Sequence, residues 1–404
     1  MKFDIFFSIC QTEVDGVIPS ERVMFENFFD QLALADTLGF GTAWLAESHL
    51  SCQVQKGNPG AVIPHFKGEI GLNTDILQLG HLVMERTKRM NVGSAIRNIL
   101  CNGGPLAHAE AVRTFLSLHG LRRGESRRLE LGFASGRFPF SNVPYGIVPR
   151  DPVEVAAWPA LRGKVFQEAI EIFLRAIRGD RFSSEDIPGR TLSRRDFRSD
   201  ADWDRVLAAH GSKVEALSIK PRWVFPKVGV IPFEAPLDNL RLTLGAHDAP
   251  TQILANTLYP CGVFNLSITP HEKIEETHAL MQKHFHKDGG PWHRALMPRT
   301  VLVFADNTPG ISNDERTHRA KGKARKALEN YWQAVEGTLD PMKVTQAVDN
   351  ALAGHPGEIR AELKRRFHPE DRLMLWFDFN NHNSTEVKAS MKAFMEDVAP
   401  GFAG

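Results

Sequence analysis

Strand-like and helix-like segments alternate about eight times along this chain, and that alternation constrains the fold more than any other feature of the sequence. Lys2 to Ile9 carries Phe3, Ile5, Phe7 and Ile9 on one face and Phe6 on the other, which reads as a buried strand. A helical stripe of Phe25, Phe28, Phe29, Leu32 and Ala35 follows, with Gly39 placed to stop it. Further strands are expected at 42–46, 91–96, 129–133, 240–244, 263–268, 299–305 and 373–379. Their helices are expected at 75–86, 105–118, 162–177, 251–258, 271–285, 317–335 and 385–398. Parallel strands need right-handed helical crossovers, and about eight such units close an α/β fold of the (β/α)8 TIM-barrel type. An open doubly wound sheet is the rival, but its Gly-rich turn G-x-G-x-x-G is absent.

A barrel turns the length of 404 residues into one domain, 1–404, with insertions after the fourth and seventh units at about 182–239 and 337–371. The first insertion is rich in arginine and aspartate. It reads either as a lid or as a solvated, salt-bridged surface, and Trp203, Trp223, Phe225 and Phe233 favour order within it. Extra helices are expected around 344–352 and 358–367. The 49 Lys+Arg nearly balance 48 Asp+Glu, and without a basic tract this excludes an extended nucleic-acid partner. No apolar run is long enough to span a membrane, and the first residues lack a secretory signal. Four scattered cysteines form no C-x-x-C pair, so no disulfide framework or zinc site is expected, and a cytoplasmic location is.

The active sites of such barrels lie in the loops after the strands. That rule selects Ser8 and Cys10, Glu47 to His49, Arg97 and Asn98, Ser135 and Arg137, His247 and Asp248, Ser267, Asp306, Asp378, Asn380 and His382. No metal centre is expected: H-E-x-x-H is absent, and His284 and His286 sit at a helix end. No G-x-S-x-G elbow supports a serine hydrolase. The fifth junction, Gly245 to Thr251, brings a helix N-terminus and the Thr251 hydroxyl to a strand end, a setting suited to phosphate. At the fourth strand end, Gly132 to Arg137 adds small residues and a guanidinium.

With these residues in view, the chain resembles the bacterial luciferase-like flavin monooxygenases. The likeness rests on Met1-Lys2-Phe3, Gly39-Phe40, Trp44 to Leu50, Gly57-Asn58-Pro59, Asn91 to Ala95, and Pro105 with Glu110. It closes on Ala389 to Phe394, Asp397-Val398 and Pro400. The resemblance implies a (β/α)8 barrel that uses reduced FMN, delivered by a flavin reductase, and O2 as cosubstrate to oxidise a small organic substrate through a C4a-peroxyflavin. It also implies a homodimer and a cis peptide near Ala95–Ile96. On this reading His49 and Ser48 are the catalytic candidates. Ser94, Ala95, Ser135, Gly136, Arg137, His247, Asp248 and Thr251 bind the cofactor, and Cys10, Asn98, Asp378 and His382 line the substrate pocket. Two positions depart from the family pattern. Ser48 stands where the luciferases carry a histidine, which argues against light emission, and Ser135 stands where the phosphate motif carries arginine. Relatives on this barrel use the deazaflavin F420, and one luciferase chain is non-catalytic. An F420-dependent oxidoreductase and a flavin-binding subunit are therefore the alternatives.

Overall fold

The computed structural model describes residues 1–51, 57, 64–136 and 139–402. Among them, nine strands form one sheet: β1 (Lys2–Phe7), β2 (Thr42–Leu45), β3 (Asn91–Asn98), β4 (Leu129–Ala134), β5 (Leu240–Leu244), β6 (Cys261–Val263), β7 (Arg299–Ala305), β8 (Leu352–Gly354) and β9 (Arg372–Trp376). Their order is β6-β5-β4-β3-β2-β1-β9-β7-β8, and every pairing is parallel. The sheet curls until Asn265, just beyond β6, meets Arg299 at the start of β7 in a single parallel bridge. Two backbone hydrogen bonds hold that contact, Asn265 N–H to the Pro298 carbonyl (2.9 Å) and Thr300 N–H to the Asn265 carbonyl (3.1 Å).

Among the described residues, eleven helices flank the sheet: α1 (Glu21–Leu38), α2 (Ile76–Arg86), α3 (Gly104–Gly120), α4 (Pro152–Arg178), α5 (Asp200–His210), α6 (Ala249–Leu258), α7 (His271–His284), α8 (Asn313–Glu336), α9 (Pro341–Asn350), α10 (Pro356–Arg366) and α11 (Ser384–Asp397). Ser20, Asp75, Asp151 and Ser312 start four of them, each side chain accepting an otherwise unpaired N–H of the first turn. The main core packs Ile5, Phe7, Val92, Leu131 and Phe133 of the strands against Leu32, Val83, Phe115 and Phe173 of the helices. Each such side chain contributes roughly 1.5–3 kcal/mol when fully buried. No helix among the described residues is long and apolar enough to cross a membrane.

Several boundaries differ from expectation. Helix α4 starts at 152 rather than 162, because Asp151 caps the Glu154 N–H (2.9 Å) and Pro152 suits a first helical turn. Strand β6 ends at Val263, since Leu266 N–H turns to the Thr269 hydroxyl (2.9 Å) and Thr269 N–H to the Leu266 carbonyl (3.0 Å). The short β8 was not anticipated. Residues 181–239 form two antiparallel pairs and α5, with Phe182, Leu192, Trp203 and Val206 in the main core. Glu168 of α4 accepts the Arg222 and Trp223 N–H groups (2.9 and 3.1 Å), and Glu171 accepts from Arg190 (2.9 Å). These contacts lay the segment along the flank of α4. They differ from both the lid and the fully solvated reading, although Arg194–Asp200 and Arg205–Asp202 remain exposed pairs.

Candidate active site

The inner face of the curled sheet is layered. Its lowest layer is polar: Arg372 Nε donates to Asp4 (2.6 Å) and its Nη atoms to Glu130 (2.9 and 3.0 Å) and the Thr42 hydroxyl (2.8 Å). The Trp44 indole N–H also donates to Asp4 (2.7 Å). A cavity of about 700 Å³ opens beside this layer, at the N-terminal ends of the strands, where parallel barrels place stabilising rather than catalytic groups. Above it, Phe6, Trp44, Phe264 and Met374 form an apolar floor with Ala46, Ala95, Ile96 and Trp376 packed against them. Gly93 makes room for this floor, since a Cβ there would stand 2.6 Å from the Trp44 ring.

The strand C-termini rise from that floor. Ile9, Leu50 and Asn380, which follow β1, β2 and β9, have left-handed backbone (φ 44°, 53° and 47°), a conformation that costs non-glycine residues about 1–3 kcal/mol. The Ala95–Ile96 peptide is cis, as the resemblance implied, and the β3–β4 register shifts between Ser94 and Arg97.

Glu47, Arg97 and the start of α2 meet in a buried polar network. Arg97 Nη1 donates to Glu47 (3.1 Å) and Asp75 (3.2 Å), and its Nε donates to His108 Nδ1 (2.9 Å). Glu47 also accepts the Ile76 N–H (2.8 Å) and contacts His49 Nε2 at 3.1 Å. His108 Nε2 lies 2.9 Å from the Cys101 carbonyl, so the ring is held as the neutral Nε2–H tautomer. Burial and then the Arg97 charge push its pKa down to about 3. The network therefore fixes Glu47, and through it places Ser48 and His49.

Ser8 and Asp378 close the opposite wall. Asp378 Oδ2 accepts from the Ser8 N–H (3.2 Å) and hydroxyl (3.0 Å). Burial outweighs these donors and pushes the carboxyl up to about 6. Three sealed polar atoms lack a hydrogen-bond partner here, Ser48 Oγ, Ser94 Oγ and Asn265 Nδ2, while the Trp376 indole N–H faces the Asp378 carboxyl. Buried polar groups are rarely left unpaired, so such a set marks a surface shaped for a bound molecule.

The remaining candidates have structural partners. Cys10 Sγ donates to the Glu69 carbonyl (3.6 Å), and His382 Nε2 sits against the Thr12 carbonyl (2.8 Å) and hydroxyl (3.0 Å), its pKa lowered by burial. Asn98 donates to Asn142 (2.7 Å), which in turn donates to the Ser135 carbonyl (3.0 Å); this chain braces the loop at Gly136. Arg137 lies outside the described residues. At the fifth junction Asp248 caps α6 by accepting the Thr251 N–H (2.9 Å), and the buried Thr251 hydroxyl accepts from Gln167 (3.1 Å). The protein's own carboxylate thus occupies the helix end that the sequence suggested for phosphate, while His247 is exposed. Sequence reasoning missed Asp75, His108, Asn265 and Trp376. Only Asp75 carried a signal, as an acidic residue before an apolar helical run. Among the described residues no group of three His, Cys, Asp or Glu side chains gathers as a metal ion would require.

With this geometry in hand, comparison with known proteins is informative. The sequence model described as luciferase-like monooxygenase matches residues 1–202. No curated protein sequence matches the chain. Monooxygenase RslO1 from Streptomyces bottropensis superposes with a TM-score of 0.67 at 18% identity, all of both chains being covered. The oxygenating constituent of 3,6-diketocamphane monooxygenase from Pseudomonas putida, solved with FMN, gives 0.60 at 12% identity over 100% of this chain and 99% of that one. An F420-dependent secondary alcohol dehydrogenase gives 0.58 at 13% identity over the whole of both chains.

Proposed function

The chain belongs to the luciferase-like monooxygenases, and from that premise we propose that it oxygenates a small organic substrate with O2 and reduced FMN supplied by a separate flavin reductase. We read the curled sheet as a (β/α)8 barrel in one domain, with β8 as an added strand and a homodimer as its working form. The observation that carries the functional reading is the set of unpaired, sealed polar atoms above the apolar floor. Reduced FMN, when bound, supplies the electrons that activate O2.

We assign Ser94, Ala95, Ser135 and Gly136 to holding the flavin, with Arg137 and His247 on the phosphate side. Asp248 and Thr251 act there indirectly, by building the turn at the start of α6. A carboxylate at that helix end repels a phosphate placed directly on it, so the phosphate contacts fall mainly to Ser135, Gly136 and Arg137. Ser48 and His49, positioned by Glu47, orient flavin or substrate. Ser48 is no proton carrier near neutrality, whereas Asp378, with its carboxyl near 6, can hold or release a proton on the opposite wall. The apolar floor excludes water from beneath the ring.

The F420 alternative has an enzyme of the same fold behind it. Anaerobic titration with reduced FMN and with reduced F420 separates the two. The proposal expects saturable FMN binding, and O2 uptake that needs both a flavin reductase and a substrate. Binding of F420 alone moves the assignment to a hydride-transferring oxidoreductase. FMN binding without turnover leaves a non-catalytic flavin-binding chain.

A further inference from the structure

A second cavity, of about 790 Å³, opens between the start of α7, the first residue of β7 and the end of α10. It faces away from the inner layers: Arg299, which lines it, shares its strand face with Val301 and Val303, and those two pack in the main core with Ile359 and Leu363.

Three guanidinium groups line this cavity: Arg299, Arg365 and Arg366. Arg365 pairs with Glu362 (2.6 Å). Arg366 holds the carbonyls of Asp349, Asn350 and Ala351 at the C-terminal end of α9, with Glu362 at 3.6 Å. Arg299 is different. Among the described residues no carboxylate lies within ion-pairing distance of it, its Nε is sealed without a partner, and its Nη2 reaches the Thr269 carbonyl only at 3.5 Å. Its neighbours are instead the Phe367 ring, 5.2 Å away, the like charge of Arg366, and the more distant Asp371 carboxylate, whose two oxygens are already taken by Arg294 Nε (2.8 Å) and the His368 N–H (3.0 Å). Glu275 is the carboxylate that lines the cavity, and both of its oxygens are taken by Arg294 (2.8 and 2.9 Å).

The start of α7, whose first turn also carries Glu272, adds free N–H groups. Its N-cap is Pro270, and no side chain accepts a first-turn N–H there, unlike the capped starts of α1, α2, α4 and α8. A guanidinium without an ion-pair partner and an uncapped helix N-terminus facing one cavity are complementary to a phosphate group, which guanidinium grips bidentately and to which helix N–H groups donate. A half-buried cation without a direct ion-pair partner is costly, and a bound anion offsets that cost.

We propose that this cavity is a binding site for a phosphate-bearing small molecule, distinct from the site at the strand C-termini. Its anchor is Arg299, supported by Arg365, Arg366 and the start of α7, with Phe367 as an apolar wall. The test is calorimetric titration of the full-length protein with inorganic phosphate and with succinate at constant ionic strength. FMN is kept present so that phosphate contacts of the proposed flavin site are filled. Saturable phosphate binding is expected, tighter than succinate binding, weakened about tenfold by Arg299→Gln and about threefold by Arg365→Gln. Absence of saturable phosphate binding, or equal binding of phosphate and succinate, overturns the proposal. So does wild-type affinity in Arg299→Gln. Should that variant fail to fold, Arg365→Gln decides, because its side chain is 68% exposed and its removal leaves the core intact. Wild-type affinity in Arg365→Gln is then the overturning result.

Discussion

Arg97 is 2% exposed and serves two carboxylates and a neutral imidazole at once. Replacing it with methionine leaves Glu47 buried without its cation, and a destabilisation of about 3–5 kcal/mol is expected in urea unfolding. Ser48 presents the opposite case. Its hydroxyl is buried and unpaired, so Ser48→Ala should leave the ligand-free protein equally or slightly more stable, by up to ~1 kcal/mol, while lowering flavin-dependent turnover. Loss of stability with full turnover would remove Ser48 from the site. Asp378 carries a pH signature. Its folded carboxyl is raised from 3.8 to about 6, so between those values the folded chain holds a proton that the unfolded chain has lost. Stability from this group therefore falls as pH rises through that window, and is lowest above it. Asp378→Asn keeps the Ser8 contacts but not the titration. Its melting temperature relative to wild type should climb from pH 4 to pH 6.5, and any limb of the activity profile near pH 6 should flatten. The strand-end rule brought Glu47, Arg97 and Asp378 into view from sequence. It could not reveal that Arg97 meets Asp75 and His108, because pairs between a strand and its flanking helices depend on how the elements lie side by side and not on spacing along the chain.

At the scale of elements, helix α4 depends on its first residue's neighbour. Asp151→Ala removes the acceptor for the Glu154 N–H and should cost about 1 kcal/mol, read as a lower urea midpoint with an unchanged slope. Most strands and helices were legible because apolar residues recur at periods of two or about 3.6, as in Phe3-Ile5-Phe7 or Val165-Ala169-Ile172. The early turns of α4 were not, since Pro159 lies inside them and its ring ordinarily signals a helix end. Leu352–Gly354 was too short to show any period, and it is a strand because β7 offers it an edge. The 181–239 segment was opaque for a related reason: part of its order comes from Glu168 and Glu171 of the preceding helix, 54 and 19 residues from the Arg222 and Arg190 groups they hold.

Across the whole molecule, the bonding of the curled sheet is uneven. β3 and β4 share a long register from Val92–Leu129 to Asn98–Ala134, whereas the segment beyond β6 meets β7 at one bridge. Backbone amides at 261–269 and 299–300 should therefore exchange with deuterium faster than those at 91–94 and 129–133. Equal protection would show that the seam opens only with the entire sheet. The pairing of β1 with β9 carries another consequence. Lys2 aligns with Arg372, so during synthesis β1 finds one of its two neighbours only after some 370 further residues have been joined. At ordinary synthesis speeds that wait is roughly 20–70 s. During it, the phenylalanine-rich segment Phe3 to Phe7 has one edge without its partner strand, so a holding chaperone acting early in translation should raise the yield of folded protein more than one added after release.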